Sequence, residues 1–176
     1  MSNHDLDGPD GPDSSDRRDN SDGRGGPRYD AVVSVAAEIL DGYDRALDTL
    51  DDVSVNHSPR PVTVNSAFAL VTHVHGMAHF WGGAFIGGED IPRDREAEFH
   101  ATGSVAEAHR LIGEVRDRLP GWVGVALTEG IRNREATGTS LRDISEVTPE
   151  WVLEHIVHEL AQHLGHLEVC RDVVAG

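Results

Sequence analysis

Apolar residues recur at spacings of three and four along most of the chain after Pro27, which is the pattern of helices that bury one face. The pattern predicts a first helix from Pro27 to about Leu50 and a second from Ser66 to Ile86. The second is apolar nearly all round, so we expect it to be largely buried. Gly87 and Gly88 are predicted to end it.

Two further helices are predicted from their start signals. Ser104, followed three residues later by Glu107, is a capping-box pair, and the third helix should run from there to about Leu119, where Pro120 interrupts it. The sequence GWVGVAL that follows is compatible with either a helix or an extended segment. Thr148 and Pro149 form an N-cap and a first-turn proline, which predicts a fourth helix to about Val174.

The stretches between these helices are predicted to be connections. They carry Pro, Gly and polar residues without periodicity, and only residues 96–99 suggest a helical turn. Four long helices with no strand alternation predict an all-α fold, a four-helix bundle.

The N-terminal segment differs in composition from the rest of the chain. Residues Met1 to Gly26 are mostly Gly, Pro, Ser and Asp, and they offer almost nothing that a core can bury. Such a segment cannot offset its backbone entropy by packing. We therefore expect a disordered acidic tail over residues 1–26 and one helical domain over residues 27–176.

Charge and cysteine content exclude several classes of function. The formal net charge of -16, with Arg as the only cationic residue type besides His, argues against a nucleic-acid-binding surface. Cys170 is the single cysteine, which excludes an internal disulfide. The chain has no apolar run of membrane-spanning length, and its N-terminus lacks the basic and apolar stretches of a signal peptide. A cytoplasmic protein with no membrane partner is expected.

The fourth predicted helix carries residues with metal-ligand spacing. Glu159 and His163 are four residues apart, so both side chains can reach one ion from adjacent turns. An imidazole from a facing helix would complete three N/O ligands and leave a position free for water or substrate. His155 and His166 lie on the same stripe and are candidates for proton transfer beside the ligands.

The second predicted helix offers three histidines for the remaining ligand. His75 and His79 are four residues apart and can themselves hold a metal, whereas His73 lies on another face among apolar neighbours. A single histidine in that setting is more often a hydrogen-bonded core residue than a ligand. Spacing alone does not decide between them.

Three stretches resemble one known family: THVHGMAHFWGG, IPRDREAEFHATGSVAEAHRLI and HIVHELAQHLGHLEVCRDV. They are similar to the DinB-like metal-binding four-helix bundle superfamily, and within it to the branch of the N-terminal domain of mycothiol-dependent maleylpyruvate isomerase. The resemblance covers about Arg28 to the C-terminus. It implies that the metal ligands are His73, Glu159 and His163.

The resemblance also implies an activity. It implies a divalent metal, first Zn²⁺ and then Ni²⁺ or another divalent ion, with a low-molecular-weight thiol such as mycothiol as cosubstrate. The partners would be this thiol and an electrophilic small molecule. The isomerase branch implies a second, C-terminal domain, and the sequence ends at Gly176 after the fourth helix. A metal-dependent thiol S-transferase is therefore expected ahead of an isomerase-like enzyme.

Two other functions and one assembly state stay open at this point. A non-catalytic metal-binding stress-response protein would keep the same ligands without thiol-dependent turnover. A metal-dependent hydrolase would hold water at the free position and use His155 or His166 as its general base. A homodimer is expected if the first or second helix exposes an apolar stripe.

Overall fold

The structure, a computed structural model, describes residues 25–58, 65–136 and 146–175. Its helices are α1 (Pro27–Leu47), α2 (Ala67–Ala78), a π-helical continuation of α2 (His79–Ile86), α3 (Arg95–Glu98), α4 (Val105–Thr128) and α5 (Pro149–Ala175), with a 3₁₀ turn at Ser54–Asn56. The described residues contain no strand. The predicted all-α four-helix bundle is confirmed. Almost all of the predicted tail, residues 1–24, lies outside the described residues, as do residues 59–64 and 137–145 of two predicted connections.

The four long helices share one core. Helices α1 and α2 each pack against both α4 and α5, and α3 packs on α2. The largest fully buried side chains come from all four helices and include Tyr43, Phe80, Phe85, Ile112 and Leu160. Within the described ranges, no helix is long and apolar enough to cross a membrane.

The predicted helix starts are confirmed by their caps. The Ser104 hydroxyl accepts a hydrogen bond from the Glu107 amide at 3.1 Å. Thr148 accepts one from the Trp151 amide at 3.1 Å. Ser66 caps α2 by accepting from the Ala69 amide at 3.2 Å. Each bond satisfies an amide that the first helical turn leaves unpaired.

The predicted end of the third helix is wrong. Pro120 does not stop α4, which continues to Thr128. The residues beyond the proline bury Trp122, Val123 and Ala126 in the core. Packing of this second apolar stretch outweighs the backbone hydrogen bond that proline removes. The ambiguous GWVGVAL segment is therefore helical.

The second predicted helix has the expected extent but changes geometry after Ala78. From His79 to Ile86 it is π-helical, and the Gly87 amide donates to the Gly82 carbonyl, five residues earlier, at 2.9 Å. The wider turn lets α4 approach its backbone closely. A Cβ at Gly82 would lie 2.9 Å from Cγ of Trp122, so only glycine fits there.

The exposed large hydrophobic side chains of the described residues are few. They are Val35, Val53, Val169 and Val173, of which only Val35 lies on α1 and none on α2. These residues do not form the stripe on the first or second helix that a homodimer was expected to use. The homodimer stays a prediction.

Candidate metal centre

Three predicted ligands come together between α2 and α5. A ring nitrogen of His73, a ring nitrogen of His163 and a carboxylate oxygen of Glu159 all lie within 4.8 Å of one another. His73 is buried, with 4% of its surface exposed, whereas Glu159 and His163 are half-buried. The two imidazole rings meet edge to face, with centroids 4.7 Å apart. We call these three residues the triad.

The donor atoms of the triad fit a divalent cation. His73 Nδ1 is 2.8 Å from Glu98 Oε2, which leaves its Nε2 available to a metal. Nε2 of His163 is 3.5 Å from Glu159 Oε2, and its Nδ1 is buried with no hydrogen-bond partner among the described residues. Two imidazoles and one carboxylate form a donor set typical of sites that bind Zn²⁺ and keep an open position.

The carboxylate of the triad is held in its charged form. The interaction with His163 lowers the pKa of Glu159 below its ordinary value, and electrostatic interaction with the surrounding imidazoles lowers it further, against the opposing effect of burial. A carboxylate must be deprotonated to bind a metal. Glu159 is therefore ready to act as a ligand at neutral pH.

A buried carboxylate orients His73. Glu98, at the end of α3, is 7% exposed and receives hydrogen bonds from Arg93 Nε at 2.7 Å and Arg93 Nη2 at 3.0 Å. Burial would raise the pKa of Glu98, but its hydrogen bonds to His73 and Arg93 outweigh burial, and the pKa is lowered. The ionised Glu98 accepts a hydrogen bond from Nδ1–H of His73, which fixes the ring orientation.

The contact between Glu98 and His73 depends on two neighbouring residues. Phe99 stacks on the His73 ring with centroids 4.7 Å apart. Gly76 lets the carboxylate approach α2, because a Cβ there would lie 2.8 Å from Cδ of Glu98 and still closer to its Oε1. We did not predict roles for Arg93 and Glu98, which belong to a connection without periodicity. In the sequence this region is marked by the helical turn predicted at residues 96–99 and by the family resemblance of the surrounding stretch, and neither assigns a role to these two residues.

His155 and His166 flank the triad as the sequence suggests. The His155 ring stacks on Trp151 with centroids 4.8 Å apart and meets the edge of Trp81 at 5.0 Å. His155 is close enough to Glu159 to contribute electrostatically to the lowered pKa of that carboxyl group. His166 is exposed, and its ring centroid is 5.6 Å from that of His163. Both imidazoles therefore lie beside the triad.

The single cysteine is not placed for nucleophilic chemistry. The Cys170 thiol is buried and donates to the Asn65 carbonyl at 3.2 Å. Burial raises the pKa of this thiol, so it stays protonated at neutral pH. Cys170 is therefore not a source of a thiolate nucleophile in the folded protein.

The other two histidines of the second predicted helix lie outside the triad. His75 and His79 are not part of the triad but form a separate group with Glu114 of α4. The structure thus brings His73 to Glu159 and His163, while the i, i+4 pair on the same helix faces α4.

Comparison with known proteins points to one family. A family model described as mycothiol-S-transferase matches residues 33–176, which include the triad, most of α1 and the whole of α2, α4 and α5. Comparison with curated proteins and with solved structures gave no significant match.

Proposed function

Because this chain belongs to the mycothiol S-transferase family, we propose that it is a metal-dependent enzyme that transfers a small thiol to an electrophilic carbon. Mycothiol is the first candidate thiol. The thiol sulfur forms a bond to carbon, the leaving group departs with its bonding electrons, and the thiol proton is released. The observation that carries the proposal is the convergence of His73, Glu159 and His163.

We assign the metal to the triad and name Zn²⁺ as the first candidate, with Ni²⁺ and other divalent ions as alternatives. A cation bound by these residues would supply Lewis-acid chemistry, lowering the pKa of a thiol so that the thiolate would be available at neutral pH. With three protein ligands, the site keeps room for one further donor. Glu159 supplies the single negative charge among the ligands.

Residues around the triad supply orientation and proton transfer. Glu98 and Arg93 hold His73 in one tautomer and one orientation, with bonds of 2.7–3.0 Å. His155, whose ring is packed against two indoles, is our candidate for accepting the thiol proton. His166, which is exposed beside His163, can pass that proton to solvent.

Thiol transfer can be measured directly on the full chain. Metal-free protein is reconstituted with one equivalent of Zn²⁺ and mixed with mycothiol and 1-chloro-2,4-dinitrobenzene, and formation of the thioether is followed by absorbance. We expect product formation above the uncatalysed rate that requires both metal and protein. His163→Ala should reduce it to background, and His158→Ala, an exposed position on the same helix, should not.

The alternative functions predict different outcomes in the same experiment. An isomerase-like enzyme would return the thiol unconsumed, and a hydrolase would act on ester or amide substrates without any thiol. A non-catalytic metal-binding protein would bind Zn²⁺ and show no turnover. The transferase proposal would be refuted if fully metallated protein neither bound mycothiol in calorimetry nor consumed it with a panel of electrophiles.

A further inference from the structure

A second group of metal-binding side chains lies on the opposite side of α2 from the triad. A ring nitrogen of His75, a ring nitrogen of His79 and a carboxylate oxygen of Glu114 lie within 4.8 Å of one another. His75 lies on α2, His79 follows four residues later as the first residue of the π-helical continuation, and Glu114 comes from α4. All three residues are half-buried. We propose that His75, His79 and Glu114 form a second divalent-cation site, which shares no ligand with the triad.

The tautomer of His79 suits this role. Its Nδ1 lies 2.9 Å from the His75 carbonyl oxygen, and because a carbonyl only accepts hydrogen bonds, Nδ1 must carry the proton. The lone pair of the neutral ring is then on Nε2. A histidine whose second nitrogen donates to a backbone carbonyl is the usual arrangement of a metal ligand.

The three side chains are held together by their surroundings. The His75 and His79 rings lie 4.0 Å apart between centroids, with planes tilted by 33°. Trp122 of α4 meets the His79 ring edge to face at 5.1 Å. His75 Nε2 is 2.9 Å from Glu114 Oε2. Little rearrangement is needed to bring one ion within reach of all three donors.

The site is accessible and independent of the triad. A cleft of about 190 Å³ is lined by both histidines together with Thr72 and Arg93. His73 and His75 are two residues apart on one helix, so they point to nearly opposite sides. His73 faces α5 and His75 faces α4. Loss of either site should therefore leave the ligands of the other in place.

The chemistry of the donors selects the type of cation. Two imidazoles and one carboxylate suit Zn²⁺, Ni²⁺, Co²⁺ or Cu²⁺, whereas Mg²⁺ and Ca²⁺ prefer sites made of oxygen atoms. The affinity should be lower than at the triad, because Arg110 forms an ion pair with the other oxygen of Glu114. The His75–Glu114 hydrogen bond is also lost when an ion replaces its proton.

Stoichiometry tests the proposal. Metal-free full-length protein is dialysed against buffered Zn²⁺, and bound metal is counted by elemental analysis, with affinities from competition titration. We expect two equivalents for the wild type, the second weaker, and one equivalent for His73→Ala. Adding Glu114→Gln to His73→Ala should remove that last equivalent. Glu107→Gln, on the same helix and beside the same Arg110, is the matched control and should retain it.

The outcomes separate this site from the triad. If the triad holds no metal, the wild type binds one equivalent, which Glu114→Gln abolishes and His73→Ala does not. A wild type with one equivalent that His73→Ala abolishes overturns the second site. Circular dichroism establishes that each variant is folded. If Glu114→Gln is not folded, His79→Asn is combined with His73→Ala in its place. Retention of the bound Zn²⁺ equivalent in that double variant also overturns the proposal.

Discussion

Replacing Gly76 by alanine tests whether the buried Glu98–His73 contact supports the metal centre. The added methyl would lie 2.8 Å from Cδ of Glu98 and closer still to Oε1, so the carboxylate has to move. It cannot move freely, because Arg93 and His73 hold it with bonds of 2.7–3.0 Å. Gly76→Ala should therefore break at least one of these bonds.

The expected magnitude follows from two opposing effects. Loss of one hydrogen bond to a charged group costs about 1.5–3 kcal/mol. Alanine in place of glycine within a helix stabilises it by about 0.8–1 kcal/mol. The net result is a free energy of unfolding lower by about 0.5–2 kcal/mol, with metal affinity at the triad reduced about 10- to 100-fold as His73 loses its partner.

Gly113→Ala is the matched control for this change. Gly113 lies inside α4, and apart from its chain neighbours and its own helical backbone no described atom stands within 4 Å of the position its Cβ would take. It should stabilise the protein by about 0.5–1 kcal/mol without changing metal affinity. Urea unfolding of the metal-free proteins measures the first quantity, and Zn²⁺ competition measures the second. If Gly76→Ala is stabilised like Gly113→Ala and binds Zn²⁺ as the wild type does, Glu98 has no supporting role.

Three further predictions concern the ligand charge, the cysteine and the N-terminal segment. Glu159→Gln removes the only negative charge of the triad, so elemental analysis should find about one equivalent of Zn²⁺ fewer than in the wild type, while circular dichroism of the metal-free protein is unchanged. The raised pKa of the Cys170 thiol predicts that iodoacetamide at pH 8 alkylates it only after unfolding, and fast labelling of the native protein would contradict this. Cys170→Ser should keep thiol transfer. Deleting residues 1–24 should leave Tm and metal content unchanged, since this composition offers no core residues, and a Tm lowered by more than about 5 °C would show that the segment contributes to the fold.

Local signals in the sequence were sufficient for most of the fold. The caps at Ser104 and Thr148 and the proline at the start of α5 act within one helical turn, so they can be recognised without tertiary information. The end of α4 could not be recognised from local signals. Pro120 disfavours a helix locally, and only the burial of Trp122 and its neighbours stabilises the helix beyond the proline. The π-helical turn likewise depends on how closely α4 packs on Gly82.

The residues of the candidate site also differ in whether local spacing in the sequence can identify them. Glu159 and His163 are recognisable because they are one turn apart on a single helix. His73 stands 86 residues before Glu159, and the choice between it and His75 depended on the family resemblance. Glu98 has no periodic pattern to mark it. Its importance follows from a contact between two elements, which spacing along the chain does not encode.

The π-helical segment also affects how related sequences are compared. A π-helical turn holds about one more residue than an α-helical turn, so it is equivalent to a one-residue insertion in a regular helix. A relative that is α-helical throughout this region would have one residue fewer between His79 and Ile86. His73 and His75 come before this segment, and Glu98 comes after it. An alignment without a gap here would therefore match His73 correctly and shift Arg93 and Glu98 by one position.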